Sequence, residues 1–196
     1  RHINNGQSCI AAKRFVVHAE VYDAFVERFA DGVRALRVGD PLDEDVQVGP
    51  LATRQIRDDL DDQVRGSVAA GARVVCGGAP LGGPGFFYQP TVLADVTPEM
   101  PAAAAETFGP VAAVLRAADA ADALRLANAS PYGLGASVWT RDEGEAALFE
   151  EALEAGSVFI NGMVVSDPRL PFGGVKRSGY GRELAAAGLR AFVNVK

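Results

Sequence analysis

The sequence predicts an α/β fold, a mostly parallel sheet with flanking helices, and three observations carry that expectation. Short β-branched apolar runs, such as residues 13–17 and 111–116, alternate with segments whose apolar residues recur every three or four positions. Glycine and proline clusters mark the switches between the two periods. Of the 196 residues 48% are hydrophobic and 22% charged, which supplies a buried core and argues against disorder. Strands separated by helices imply crossover connections, parallel pairing and helices on the faces of the sheet. With no internal repeat and no low-complexity linker, one α/β domain is expected. Its site is expected at the carboxyl ends of the strands and in the loops that follow them.

In chain order, Lys13-Arg-Phe-Val-Val17 reads as a buried strand. Between 20 and 36, Val21, Tyr22, Phe25, Val26, Phe29, Val33 and Leu36 repeat at helical spacing, an amphipathic helix. Turn residues fill 39–50, and Thr53 is placed to cap a helix running to about Ala70, which Gly71 stops. Residues 73–76 read as a strand, 79–88 as a Gly/Pro loop, 90–96 as a strand and 98–105 as a short irregular or helical link. Then follow a strand at 111–116, a helix at 119–128 opened by an acidic cap, and a strand at 134–140. A helix at 142–155, a strand at 157–161, a Gly-rich loop, a helix at 182–190 and an extended tail at 191–196 complete the reading.

Several function classes are disfavoured at once. A net charge of −6 does not suit a phosphate-binding surface, so nucleic acid is not the expected partner. No apolar run approaches the ~18–20 residues of a membrane span, and no export leader is visible. Two cysteines make no disulfide framework, so a cytoplasmic location is expected. Two cysteines and two histidines without metal-ligand spacing offer no metal site. Gly133-Leu-Gly135 and Gly179-Tyr-Gly181 lack the third glycine of a dinucleotide fingerprint, and no phosphate-binding loop of the Walker type is present.

The cysteines differ in setting. Cys76 closes the apolar run Val-Val-Cys and reads as a small core residue. Cys9, in Asn4-Asn-Gly-Gln-Ser-Cys9, follows a polar, glycine-containing turn where a thiol is reachable. On the residues alone, both a functional and an inert Cys9 stay open. Neither His2 nor His18 has a spacing that predicts pairing with it, so a base for Cys9 has to come from elsewhere.

Four segments resemble the aldehyde dehydrogenase superfamily, in family order along essentially the whole chain. Asn5-Gly-Gln-Ser-Cys9 is similar to the active-site cysteine motif, and Glu106-Thr-Phe-Gly-Pro110 to the Glu-x-Phe-Gly-Pro element. Asn128 to Trp139 resembles the Asn-x-x-x-Tyr/Phe-Gly-Leu segment. Pro171-Phe-Gly-Gly-Val-Lys-Arg-Ser-Gly-Tyr-Gly-Arg-Glu183 is similar to the C-terminal signature. The resemblance implies oxidation of a small-molecule aldehyde with NAD or NADP, with Cys9 as nucleophile forming a thiohemiacetal and then a thioester. It implies that Glu106 accepts hydrogen bonds from the nicotinamide-side ribose and that Phe108 packs near the nicotinamide. Without the family, Glu106 reads as a solvated carboxylate and Phe108 as a core anchor.

Ser166 stands five residues before Pro171, where members acting on succinate semialdehyde are similar in carrying a serine for the distal carboxylate. Ser8 and Ser166 are therefore the substrate-binding candidates, with a different aldehyde, or a non-catalytic fragment, as the alternatives. The pattern is departed from at Ala105, where a second acidic residue is common, and at Ala11, where some members carry a second, switch-forming cysteine. Ile3 replaces an arginine found in some members. The resemblance further implies that residues 1–196 are the cysteine-bearing catalytic domain of a longer homo-oligomeric (dimeric or tetrameric) protein. Its NAD(P)-binding domain, general-base glutamate and oxyanion-hole asparagine are expected upstream.

Overall fold

A computed structural model describes residues 1–194 and Lys196, and its main sheet is built from the most apolar runs of the chain. The strands are β1 (Arg14–His18), β2 (Arg73–Cys76), β3 (Thr91–Ala94) and β4 (Val111–Ala117), in the order β1-β4-β3-β2. β1 and β3 both run parallel to β4, and β2 joins the far edge antiparallel. All of β3 and all of β4 except Arg116 are buried, the pattern of strands covered on both faces.

Helix α1 (Tyr22–Arg34) turns Tyr22, Val26, Ala30 and Val33 toward Val17, Val92, Ala94 and Val114 of the sheet. Its anchor is Tyr22, whose hydroxyl donates to Val114 O at 3.2 Å and accepts from Asp95 N at 2.7 Å. The expected cap on α2 (Arg54–Ala69) is present, with Thr53 Oγ1 accepting from Ile56 N at 3.2 Å. The link after β3 contains one helical turn, α3 (Pro101–Ala104), tied to α2 by Ala102 N donating to Ser67 Oγ at 2.9 Å.

The chain divides into two compact units, Arg1–Ala123 and Leu124–Lys196, where alternation alone predicted one sheet. The later elements are α4 (Ala120–Asn128), β5 (Tyr132–Gly133), β6 (Gly135–Val138), α5 (Glu143–Ala152), β7 (Ser157–Ile160), β8 (Val175–Lys176) and α6 (Ala185–Arg190). Among them β6 pairs parallel with β7, and β5 antiparallel with β8. Asn128 sews this unit together: its side-chain amide donates to Ala152 O at 2.8 Å and accepts from Glu154 N at 3.0 Å. Lys176 donates to the carbonyls of Asn128 and Ser130 and pairs with Glu154.

Several boundaries differ from expectation. The helix expected to Ala155 ends at Ala152, and β8 was not anticipated. The helix expected from Arg182 starts at Ala185, because Glu183 pairs with Phe172 in a β-bridge and Leu184 takes φ 65°. The tail expected to be extended turns at Ala191 and Phe192, while Val195 lies outside the described residues.

Candidate active site

The candidate nucleophile loop begins with an unusual run of backbone. Asn4, Asn5 and Gly6 have φ of 53°, 56° and 74°, three consecutive residues in the left-handed region that asparagine and glycine tolerate best. A Cβ on Gly6 would also run into the Gly109 carbonyl, so this position demands glycine twice over. Side chains hold the run in place. Asn5 accepts from Gly49 N at 2.7 Å and donates to Pro50 O at 3.1 Å, and Gln7 Oε1 accepts from Ala52 N at 2.9 Å. Cys9 then sits on the turn that Ala11 N closes onto Ser8 O at 3.1 Å, and it is exposed. Ser8, beside it, is half-buried.

The second loop runs from 105 to 110 and leads into β4. Thr107 is fully buried, Glu106 is exposed, and the Phe108 ring is 36% exposed, an aromatic face left toward solvent rather than a core anchor. The two loops meet because β1 and β4 are parallel neighbours, with Arg14 opposite Ala113. Both loops precede their strands, so Cys9, Glu106 and Phe108 lie at the amino ends of these strands. These candidates therefore lie away from the carboxyl ends where the site was expected: the parallel register of β1 and β4 brings the first loop beside the loop that closes the β3–β4 crossover.

Two cations join the loops. Lys13 Nζ donates to Ser8 O and Cys9 O, both at 2.8 Å, and lies 3.1 Å from Glu106 Oε1. Burial lowers the Lys13 pKa, and the Glu106 carboxylate opposes that shift. The Arg1 guanidinium donates to Val111 O and Thr107 O, each at 2.6 Å, to Gly6 O at 3.3 Å, and to Gly109 O. Burial pulls its pKa down to about 10, against the attraction of Glu106. Neither residue was singled out from sequence. The available signal was position, a cation four residues after Cys9 and another four residues before Asn5.

The remaining candidates sit elsewhere. Cys76, at the end of β2, packs against the core cluster, and burial raises its thiol pKa. Ser166 belongs to the second unit, in an exposed loop beside the Asp167–Arg169 ion pair. Among the described residues no group of three or more His, Cys, Asp or Glu could hold a metal ion, and no helix is long and apolar enough to cross a membrane.

The family model for the aldehyde dehydrogenase family matches residues 1–196. The chain belongs to that family. A succinate-semialdehyde dehydrogenase [NADP(+)] of Mycobacterium ulcerans is 59% identical over 193 residues, which make up 98% of this chain and 42% of that relative. The chain thus spans about two-fifths of the length of such relatives. Among solved family members, succinate-semialdehyde dehydrogenase from Burkholderia pseudomallei is 39% identical with a TM-score of 0.94, matching 97% of this chain and 40% of that one. A Mycobacterium tuberculosis aldehyde dehydrogenase complexed with NAD+ is 40% identical with a TM-score of 0.91, over 97% of this chain and 40% of that one. These likenesses extend to both units and bear out the α/β fold class.

Proposed function

We propose that the protein carrying this chain oxidises succinate semialdehyde to succinate with NAD(P)+, through a covalent adduct on Cys9. The observation that carries this reading is an exposed Cys9 on a turn whose main-chain carbonyls Lys13 joins to Glu106. The thiolate attacks the aldehyde carbon, the C–S bond forms, and the carbonyl π pair moves to oxygen as a thiohemiacetal. The Cys9 backbone N–H offers a donor for that oxygen. Bound NAD(P)+ supplies the two-electron acceptor that the oxidation needs. Water then releases the acid from the Cys9 thioester, with the thiolate leaving.

The residues present fit such a coenzyme. Glu106 is half-exposed on its side chain and has a second carboxylate oxygen outside the Lys13 pair, suited to accept from a ribose diol. Phe108 offers an apolar ring for a flat partner at the same end of the sheet. Ser166 is read as a donor to the distal carboxylate of the substrate, since a hydroxyl stabilises an anion more than an apolar chain, and Ser8 is kept as a separate substrate-binding candidate. The names of the curated relatives support succinate semialdehyde and NADP+, while a solved relative holds NAD+. Residues 1–196 are read as the cysteine-bearing catalytic domain of a cytoplasmic homo-oligomer, with the NAD(P)-binding domain outside them.

Absorbance at 340 nm on mixing the full-length protein with succinate semialdehyde and NADP+ tests the proposal. Wild type should turn over, and Cys9→Ser should lose on the order of 10³-fold or more in kcat. A Cys9→Ser protein that stayed active would overturn the nucleophile assignment.

A further inference from the structure

Lys13 occupies the point where the Cys9 turn and the Glu106 loop share a cation. Its ammonium has three N–H groups, and three acceptors surround it: Ser8 O, Cys9 O and Glu106 Oε1. Its side chain is 16% exposed, against 43% for Glu106, so the cation is held largely out of water while the carboxylate keeps a wet side. Two main-chain carbonyls and a carboxylate around a shielded ammonium differ from a freely rotating surface ion pair. The charged and ionisable groups facing one another here are Lys13, Glu106, Arg1 and Cys9. Arg1 is committed to the carbonyls of Gly6, Thr107, Gly109 and Val111. Among the described residues, Lys13 is thus a cation in ion-pair contact with Glu106.

We propose that Lys13 is a positioning residue of the aldehyde-oxidising site, tying the Ser8–Cys9 turn to Glu106 and cancelling that carboxylate's charge beside the nucleophile so that an anionic aldehyde can reach it. The inference rests on the proposed function for its substrate and extends it to a residue without direct chemistry. An uncompensated carboxylate near the thiol would repel a substrate whose far end is itself a carboxylate, and a neutral aldehyde would be indifferent to it. Holding Oε1 also limits how Glu106 can rotate, which leaves its other oxygen to face a diol.

Iodoacetate and iodoacetamide both alkylate the thiolate, so the ratio of their rates cancels thiol ionisation and reports local charge. We would measure that ratio on the Cys9 peptide by mass spectrometry, in the full-length wild type, Lys13→Met, Glu106→Gln and the double variant. Lys13→Met should lower the iodoacetate-to-iodoacetamide ratio by about 5–10-fold, and the double variant should return it to within about 2-fold of wild type. The same single variant should raise KM for succinate semialdehyde while leaving KM for propanal little changed. Equal changes with both reagents would mean a purely structural lysine and would overturn the inference. Should Lys13→Met fail to fold, Glu106→Gln carries the test, because it should raise the ratio above wild type; an unchanged ratio refutes the proposal. A wild type that oxidises no aldehyde would sink the proposed function instead, while the alkylation ratio would still report on Lys13.

Discussion

Arg1 donates through Nη2 to the carbonyl oxygen of Thr107 at 2.6 Å, across 106 residues of sequence. The same guanidinium reaches Gly6 and Val111, so one side chain fixes both loops of the site against β4. Even with its pKa pulled down to about 10 it stays charged at neutral pH. Arg1→Met keeps the stem and strips these partly buried carbonyls of their donor, at a cost of about 2–3 kcal/mol. A lowered urea midpoint with an unchanged slope is the expected reading.

Gly6 has little room to change. At φ 74°, with the Gly109 carbonyl where a Cβ would go, Gly6→Ala has to distort one loop or the other. A loss of about 2–4 kcal/mol is expected, read as a fall in Tm. Ala11→Gly, two residues beyond Cys9 in the same segment, should move Tm far less.

Ser166→Ala tests how the substrate is chosen. Losing one hydrogen bond to a charged carboxylate should raise KM for succinate semialdehyde about 10-fold, with little change for propanal. Equal effects on both aldehydes would remove Ser166 from the carboxylate site.

His2 sets a pH dependence of stability. Burial pushes its pKa down from 6.5 to about 4, and its Nε2 is buried without a hydrogen-bond partner. Between those two values the folded chain binds fewer protons than the unfolded one. Stability is therefore full above pH 6.5 and falls as the pH drops toward 4. Allowing for the ring's partial exposure, about 1 kcal/mol should be lost between pH 7.5 and 5. His2→Gln, which does not titrate, should lose that part of the difference in urea midpoint.

Local pattern made much of the fold legible. Of the residues read at helical spacing, Tyr22, Val26 and Val33 lie on the buried stripe of α1 while Val21 is exposed, and Thr53 caps α2 as its position implies. The apolar runs of β3 and β4 identify the central strands. What could not be read was partner choice. Nothing local in residues 135–138 says that they pair with β7 and stay out of the four-stranded sheet. At α6 the helical spacing runs back to Arg182, yet the bridge between Glu183 and Phe172 takes those residues first. For the site, Cys9, Glu106 and Phe108 stood out through their motifs. Lys13 did not, because in Ala-Ala-Lys-Arg-Phe it reads as the charged start of a strand. Its importance comes from a carboxylate brought to it by the parallel pairing of β1 with β4.

That pairing also orders events in time. β1 and β4 are separated by a loop that includes two other strands and three helices, so bringing them together is an entropically costly closure. A ribosome has to pass Ala117 before β4 exists for β1 to join. Until then the Cys9 segment has no docked loop carrying Glu106 beside it, and Arg1 lacks its acceptors at Thr107, Gly109 and Val111. The cysteine is thus made well before the groups that surround it, so a chain stalled short of β4 carries Cys9 on an unshaped segment.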